Sequence, residues 1–396
     1  MPALVPYRQA ALAVAIPLGA YLAFLGLCAS TFFQRHFLYA HRVNTLWWPW
    51  TDLNRAEGWG FAKNQVTPFS LQTADGQTLY AWHILPLPLY AQHEESIVGQ
   101  PSGLCNDITK TINFKLLRED PNSRLVVYFH GNAGHIAQAV RPSSFHTLTD
   151  TSSYHVLAID YRGFGYSTGN PTEAGLIIDG AAAVQWAMSI AGLPADRIVL
   201  LGQSLGTAVI SGVAEHFAHE GVDFAGVILV SGFSSLPTML SHYALAGYVP
   251  VLLPLRGWPW LFKAAMGMIT DRWTSADRLR AAVRAVRARG GRMRLSLVHA
   301  KDDRDIPSGE DNKLFAAAVG GFSNEDAELD AETLEAEKEK RTLHKGPDAF
   351  VSTWKDGNVV VRQELFPYGG HNNIMTYAPV TLAVLRSFEL VGTVYS

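Results

Sequence analysis

The stretch Arg197-Ile198-Val199-Leu200-Leu201-Gly202-Gln203-Ser204-Leu205-Gly206 decides the fold. Its apolar first half reads as a buried strand, and the Ala- and Val-rich run from Thr207 to Phe217 reads as a helix. Between them lies a turn so tight that its flanks need residues without side chains, which Gly202 and Gly206 supply. Such a turn lifts the Ser204 hydroxyl above the sheet edge. The helix N-terminus then offers backbone N–H groups to a negatively charged oxygen. Gly-x-Ser-x-Gly alone is a weak signal, and an ordinary strand-to-helix turn is its other reading. The strand before and the helix after make Ser204 a candidate nucleophile.

Working outward, 396 residues, 48% of them hydrophobic, give one large domain or two small ones with ample core. A net charge of −3 points away from nucleic acid as a partner. Cys28 lies in an apolar run and Cys105 in a polar stretch, so no intrachain disulfide is expected, and no zinc-type Cys/His spacing occurs. No metal or cofactor is expected.

Ala10 to Phe33 carries no charge. As a helix it would extend roughly 35 Å, enough to cross a bilayer core, and Pro17 is tolerable in such a helix. A retained single span is the expected reading. A signal peptide cleaved near Cys28-Ala29-Ser30 and a buried globular helix are the alternatives. Residues 1–34 would then be a membrane segment and 35–65 an aromatic linker. In that linker Trp47, Trp48, Trp50 and Trp59 suit either the membrane interface or packing on the domain. The Asn-x-Thr triplet Asn170-Pro171-Thr172 is blocked by proline, so the expectation is a lumenal domain without glycosylation or a cytosolic domain.

Residues 66–396 alternate strand and helix, which implies a mostly parallel sheet covered on both faces. A hairpin over Val66 to Ile84 turns at Asp75-Gly76. Pro86 to Pro121 has no clean period and reads as an inserted loop. Arg124 to Phe129 and Tyr154 to Ile159 are strands ending in His130-Gly131-Asn132-Ala133-Gly134 and Asp160-Tyr161-Arg162-Gly163-Phe164-Gly165. Gly226 to Val230, Arg294 to His299 and Val359 to Phe366 follow the Ser204 strand. Residues about 234–275 break the rhythm and read as a cap, with two core-packing helices as the alternative. Ala276 to Arg289 is a basic helix for a solvated face or for lipid head groups. Residues about 321–345 read as an exposed acidic insertion.

An activated serine needs a base, and the base needs an orienting carboxylate. With strands ordered this way, both should sit on later loops at the carboxyl ends of strands. The strand ending at His299 runs into Lys301-Asp302-Asp303-Arg304-Asp305-Ile306-Pro307, where Asp302, Asp303 and Asp305 compete as the acid. The last strand ends in Gly369-Gly370-His371, and His371 is the candidate base. The Leu205 N–H and, by position, the Asn132 N–H would form the oxyanion hole. His130 would shape its loop by hydrogen bonding.

His130 to Gly134, Asp160 to Ser167, Pro171-Thr172-Glu173 and the Gly202 to Gly206 turn together resemble the membrane-anchored α/β-hydrolase-domain lipases. That group includes lysophosphatidylserine and monoacylglycerol lipases of the endoplasmic reticulum. The resemblance covers Val66 to the C-terminus and implies an α/β-hydrolase fold with Ser204 as nucleophile, Asp303 as acid and His371 as base. It further implies an acyl-lipid substrate, a membrane and an endoplasmic-reticulum setting. A depalmitoylase or general carboxylesterase keeps the same chemistry with another substrate. An inactive membrane-tethered scaffold is the reading from a different class.

Overall fold

The computed structural model describes residues 4–242, 244–245, 249–250, 252–322 and 331–389. Strands β1 (Val66–Gln72), β2 (Thr78–Ile84), β3 (Arg124–Phe129), β4 (Tyr154–Ile159), β5 (Ile198–Gln203) and β6 (Gly226–Val230) come first in sequence. A small hairpin, β7 (Ala244–Leu245) and β8 (Val249–Pro250), precedes β9 (Met293–Ala300), β10 (Thr342–Gly346), β11 (Ala349–Asp356) and β12 (Val359–Phe366). Ten of these strands form one sheet in the order β1-β2-β4-β3-β5-β6-β9-β12-β11-β10.

The six central strands, β4 through β12 in that order, are parallel, and antiparallel pairs extend both edges. Strands β4, β5 and β6 are buried along their whole length, as sheets covered on both faces require. One core fills the face under the Glu173–Gln185, Leu205–His219 and Ser275–Ala288 helices, and a second fills the face under Arg141–Thr149 and Ala378–Glu389. The register pairs Phe129 with Gly202, Gln203 with Val230, Val230 with Val298 and Leu365 with His299. The loops leaving β3, β5, β9 and β12 therefore emerge side by side.

The N-terminal helix Leu4–Cys28 stands out from the domain, and Gln9–Cys28 is long and apolar enough to cross a membrane. No residue of that window is buried, which removes the buried-globular-helix reading. The helical path breaks at Ala29-Ser30 and resumes as Thr31–Tyr39, which docks on the domain. There the Gln34 side chain donates to the Met268 carbonyl at 2.7 Å and accepts from the Thr270 N–H at 3.0 Å. The Tyr39 hydroxyl donates to Asp271 at 2.7 Å. The tryptophans of the linker divide: Trp59 packs against buried Trp82, while Trp47 and Trp50 point outward.

Two expectations need correction. Residues 86–121 are not an irregular loop but carry short helices, Leu87–Gln92, Glu94–Val98 and Ile112–Glu119. Each is too brief to print a helical period, yet Leu85, Tyr90 and Ile97 close a small core of their own beneath them. The supposed acidic insertion is partly sheet: Ala331–Glu339 is a helix, and β10 within it forms the sheet edge. Its residues 323–330 lie outside the described set, as do 243, 246–248 and 251 of the expected cap. On the Ser275–Ala288 helix and just beyond it, Arg278 pairs with Glu173 and Glu215, Arg287 with Asp356 and Arg289 with Asp223. Internal ion pairing thus occupies much of the basic face.

Candidate active site

Strand β5 ends at Gln203 and the helix Leu205–His219 begins two residues later. The connection forces Ser204 into φ 55°, ψ −120°, a region costly for a residue with a side chain. The strain is held by close packing on both sides. A Cβ at Gly206 would lie 2.1 Å from the Phe129 carbonyl oxygen, and one at Gly202 would lie 2.7 Å from the Gly206 backbone. The Ser204 N–H donates to Val230 O at 3.0 Å, and Thr207 Oγ1 donates to Ser204 O at 2.6 Å.

His371 Nδ1 lies 2.8 Å from Asp303 Oδ2. Of the three aspartates that the sequence left in competition, Asp303 makes this bond. Asp302 instead accepts from the Gly370 N–H at 2.8 Å, which braces the histidine loop, and Asp305 lines the cavity. The other Asp303 oxygen accepts from the N–H groups of Asp305 and Ile306, both at 2.9 Å. Burial pushes the Asp303 carboxyl up, but hydrogen bonds from His299 and His371 outweigh it and hold the group well below the usual carboxylate range.

Three side chains that sequence reading passed over complete this frame. Gln203, the variable residue before the serine, donates to the His371 carbonyl at 2.8 Å and to Asn372 Oδ1 at 3.1 Å. It thereby ties the serine turn to the histidine loop. His299 is fully buried, with Nε2 3.0 Å from Ile306 O and 3.4 Å from Asp303 Oδ2. Its Nδ1 faces Asp311 at 3.8 Å. Burial alone would lower the His299 pKa, but the two carboxylates raise it to about 10.

Arg141 is the third. Its guanidinium is buried and donates to the carbonyls of Gly131, Asn132, Ala133 and His135 at 2.6–3.0 Å. Turning these carbonyls to one cation fixes the loop after β3. From its other side, the N–H groups of Ala133 and Gly134 donate to the carbonyls of Tyr39 and Val43 at 3.1 and 3.0 Å. His130 takes part as a local shaper: its Nδ1 lies 2.7 Å from Gly131 O, and burial keeps its ring neutral. Arg162 of the Asp160 loop bridges Asp75 and Asp179, an architectural role away from Ser204.

A cavity of about 340 Å³ brings the expected site residues together: Asn132, Ser204, Leu205 and His371 all line it. Its remaining wall is largely apolar. Phe233, Leu236, Met239, Leu240 and Trp273 come from the 233–273 stretch, and Phe37, Leu38 and Tyr39 from the docking helix. Nothing in the sequence pattern pointed to that second contribution. A larger groove of about 1,080 Å³ along the Glu173–Gln185 and Leu205–His219 helices contains neither Ser204 nor His371.

A strained serine at a strand–helix turn, a later Asp–His pair and a sheet of this order define a hydrolase class. Residues 126–380 match the model of the alpha/beta hydrolase family, and the chain belongs to that family. Curated proteins similar to it include lysophosphatidylserine lipases. Human "Protein ABHD12B" is 26% identical over 264 residues, 67% of this chain and 60% of that protein. Zebrafish "Lysophosphatidylserine lipase ABHD12" is 25% identical over 268 residues, 68% of this chain and 62% of its own length. The chain thus spans about three fifths of the curated relatives it matches. Among solved structures, an alpha-beta hydrolase from Vibrio vulnificus superposes with a TM-score of 0.51 at 15% identity, covering 91% of each chain. That likeness concerns the fold.

Proposed function

We propose that this protein is a membrane-anchored serine hydrolase that cleaves the carboxylic ester of monoacyl lipids, monoacylglycerols or lysophospholipids. The observation that carries the reading is one cavity in which Ser204 and His371 face an apolar wall. Its volume sits near the lower end of the range for small-molecule sites, about 300–1,000 Å³, and suits a single acyl chain. The names of the vertebrate relatives favour a lysophospholipid head group. The apolar N-terminal helix favours a membrane setting, and the resemblance to membrane-anchored lipases favours the endoplasmic reticulum as the compartment.

In this mechanism His371 takes the Ser204 proton as the hydroxyl oxygen attacks the ester carbonyl. Asp303 holds the imidazole in the tautomer that leaves Nε2 free to accept, and stabilises the imidazolium that forms. The N–H groups of Leu205 and Asn132 receive the oxyanion. The tetrahedral intermediate collapses with His371 returning the proton to the leaving alcohol. Water then adds to the acyl-serine with His371 again as base, releasing a fatty acid.

The test is a substrate panel for the detergent-solubilised protein, with Ser204→Ala as blank. The panel holds a monoacylglycerol, a lysophospholipid, a palmitoyl thioester peptide and a short soluble ester. Preference for the monoacyl lipids is expected. Turnover of the thioester alone, or of the short ester alone, replaces the lipase reading with a depalmitoylase or a general esterase.

A further inference from the structure

The docking helix Thr31–Tyr39 does two things at once. Phe37 lines the cavity that holds Ser204, and its ring meets Phe24 of the N-terminal apolar helix edge-on, with centroids 5.8 Å apart. Three residues earlier, Gln34 is bonded to Met268 and Thr270, just past the end of the helix Pro259–Gly267. That helix carries a single charged residue, Lys263, and has no buried residue. Trp258, Trp260 and Met268 stand exposed along it, at 57%, 72% and 48%. Phe32 and Phe37 are also more than half exposed.

Soluble surfaces seldom gather large apolar side chains so densely, and an apolar patch of this kind marks a contact surface. Its occupant follows from continuity. The patch begins where the apolar helix Gln9–Cys28 ends, so whatever surrounds that helix also meets the patch. Tryptophan beside a single lysine is the composition that settles at a lipid interface.

We infer that the acyl chain reaches Ser204 sideways from the bilayer, through an entrance between Phe37 and Leu38 of the Thr31–Tyr39 helix and the Leu236–Leu240 wall that faces them across the cavity. Trp258, Trp260 and Met268 seat that entrance on the lipid surface. This deepens the lipase reading and rests on it. The apolar helix serves as the inner jamb of the door as well as a tether. A chain sliding past Phe37 passes from lipid to the Phe233–Leu240 wall without crossing water, so its methylenes are never hydrated on the way.

The experiment uses the full chain reconstituted in phosphatidylcholine bilayers, as wild type and as Trp258→Glu/Trp260→Glu. Three readouts are compared: hydrolysis of a long-chain monoacyl ester held in the bilayer, hydrolysis of a short water-soluble ester, and fluorophosphonate labelling of Ser204. The double variant is expected to lose about tenfold in kcat/KM on the bilayer substrate, mainly through KM. Its soluble-ester rate and labelling stay within about twofold of wild type. Trp258→Phe/Trp260→Phe recovers the bilayer rate. Equal loss on both esters, or no loss on either, overturns the entrance. If wild type cleaves the soluble ester but no monoacyl lipid in bilayer or micelle, the lipase reading itself fails.

Discussion

The loops that carry Ser204, Asp303 and His371 are pinned by buried polar bonds. The wall across the cavity from them is mostly apolar side chain, and polar bonds such as Tyr39 to Asp271 and the Trp273 N–H to Glu173 hold it at its base. The contrast follows from what each side must do. Reacting groups have to be held within about 0.5 Å of a productive geometry. That takes directional bonds from groups that cannot reach water. An acyl chain has no polar feature to align, so its wall needs area and some adaptability, which Met239, Leu240 and Phe37 supply. Substitutions on the first side should therefore change rate by orders of magnitude. Those on the second should change selectivity.

The sharpest break of that contrast is at the nucleophile. Ser204→Ala and His371→Ala are each expected to cut turnover by about 10⁶-fold with an unchanged melting temperature. Asp303→Asn should lose about 10⁴-fold. An active Asp303→Asn beside a dead Asp302→Asn or Asp305→Asn would reassign the acid. Next comes Arg141. Arg141→Gln releases four carbonyls and lets the loop relax, so kcat should fall by about 10²-fold while KM moves less than about threefold. Arg141→Lys, which keeps the charge but not the fork, should recover part of the rate. A parallel rise in KM would make Arg141 part of substrate binding instead.

His299 gives a smaller effect with a pH signature. Its pKa stands at about 10, above the ordinary value near 6.5. A raised pKa contributes stability that is full below the unfolded value and lost as pH climbs through the folded one. The denaturant midpoint of the wild type should thus fall between about pH 7 and pH 10. In His299→Gln that slope should flatten, with a rate loss of about tenfold. An identical slope in the variant would show His299 to be neutral. The smallest effect belongs to the apolar wall: Leu240→Ala should lower kcat/KM for long chains by about five- to tenfold and leave a short soluble ester nearly untouched.

The sequence made the serine turn and the two later loops readable because backbone geometry there depends on local residues and chain order. Gly202, Gly206, Gly369 and Gly370 mark bends that any reader of the chain can place, and the strand order follows from apolar runs between them. Asp303 was set apart from Asp302 and Asp305 by the family resemblance. The partners that fix these loops had no such mark. Gln203 occupies a variable position, Arg141 lies past the glycine-rich loop in a polar run, and His299 looks like one more residue of a buried strand. Their roles arise only when distant segments meet. The same holds for Phe37 to Tyr39, read as linker because nothing nearby in sequence says that residues beyond 230 will pack on them. Strands β10 and β11 were missed because β10 is exposed along most of its length and prints no alternation.

The bond between Gln34 and Met268 also sets a timetable. Its two ends are 234 positions apart. At a synthesis rate of about 5–20 residues per second, roughly 10–50 s pass between the making of one and the other. Throughout that interval the Thr31–Tyr39 helix exists without its dock, and the cavity has no outer wall. The Thr31–Tyr39 segment thus settles on its dock only after Met268 and Thr270 have been made, so the two sides of the cavity's outer wall are assembled from parts synthesised far apart in time.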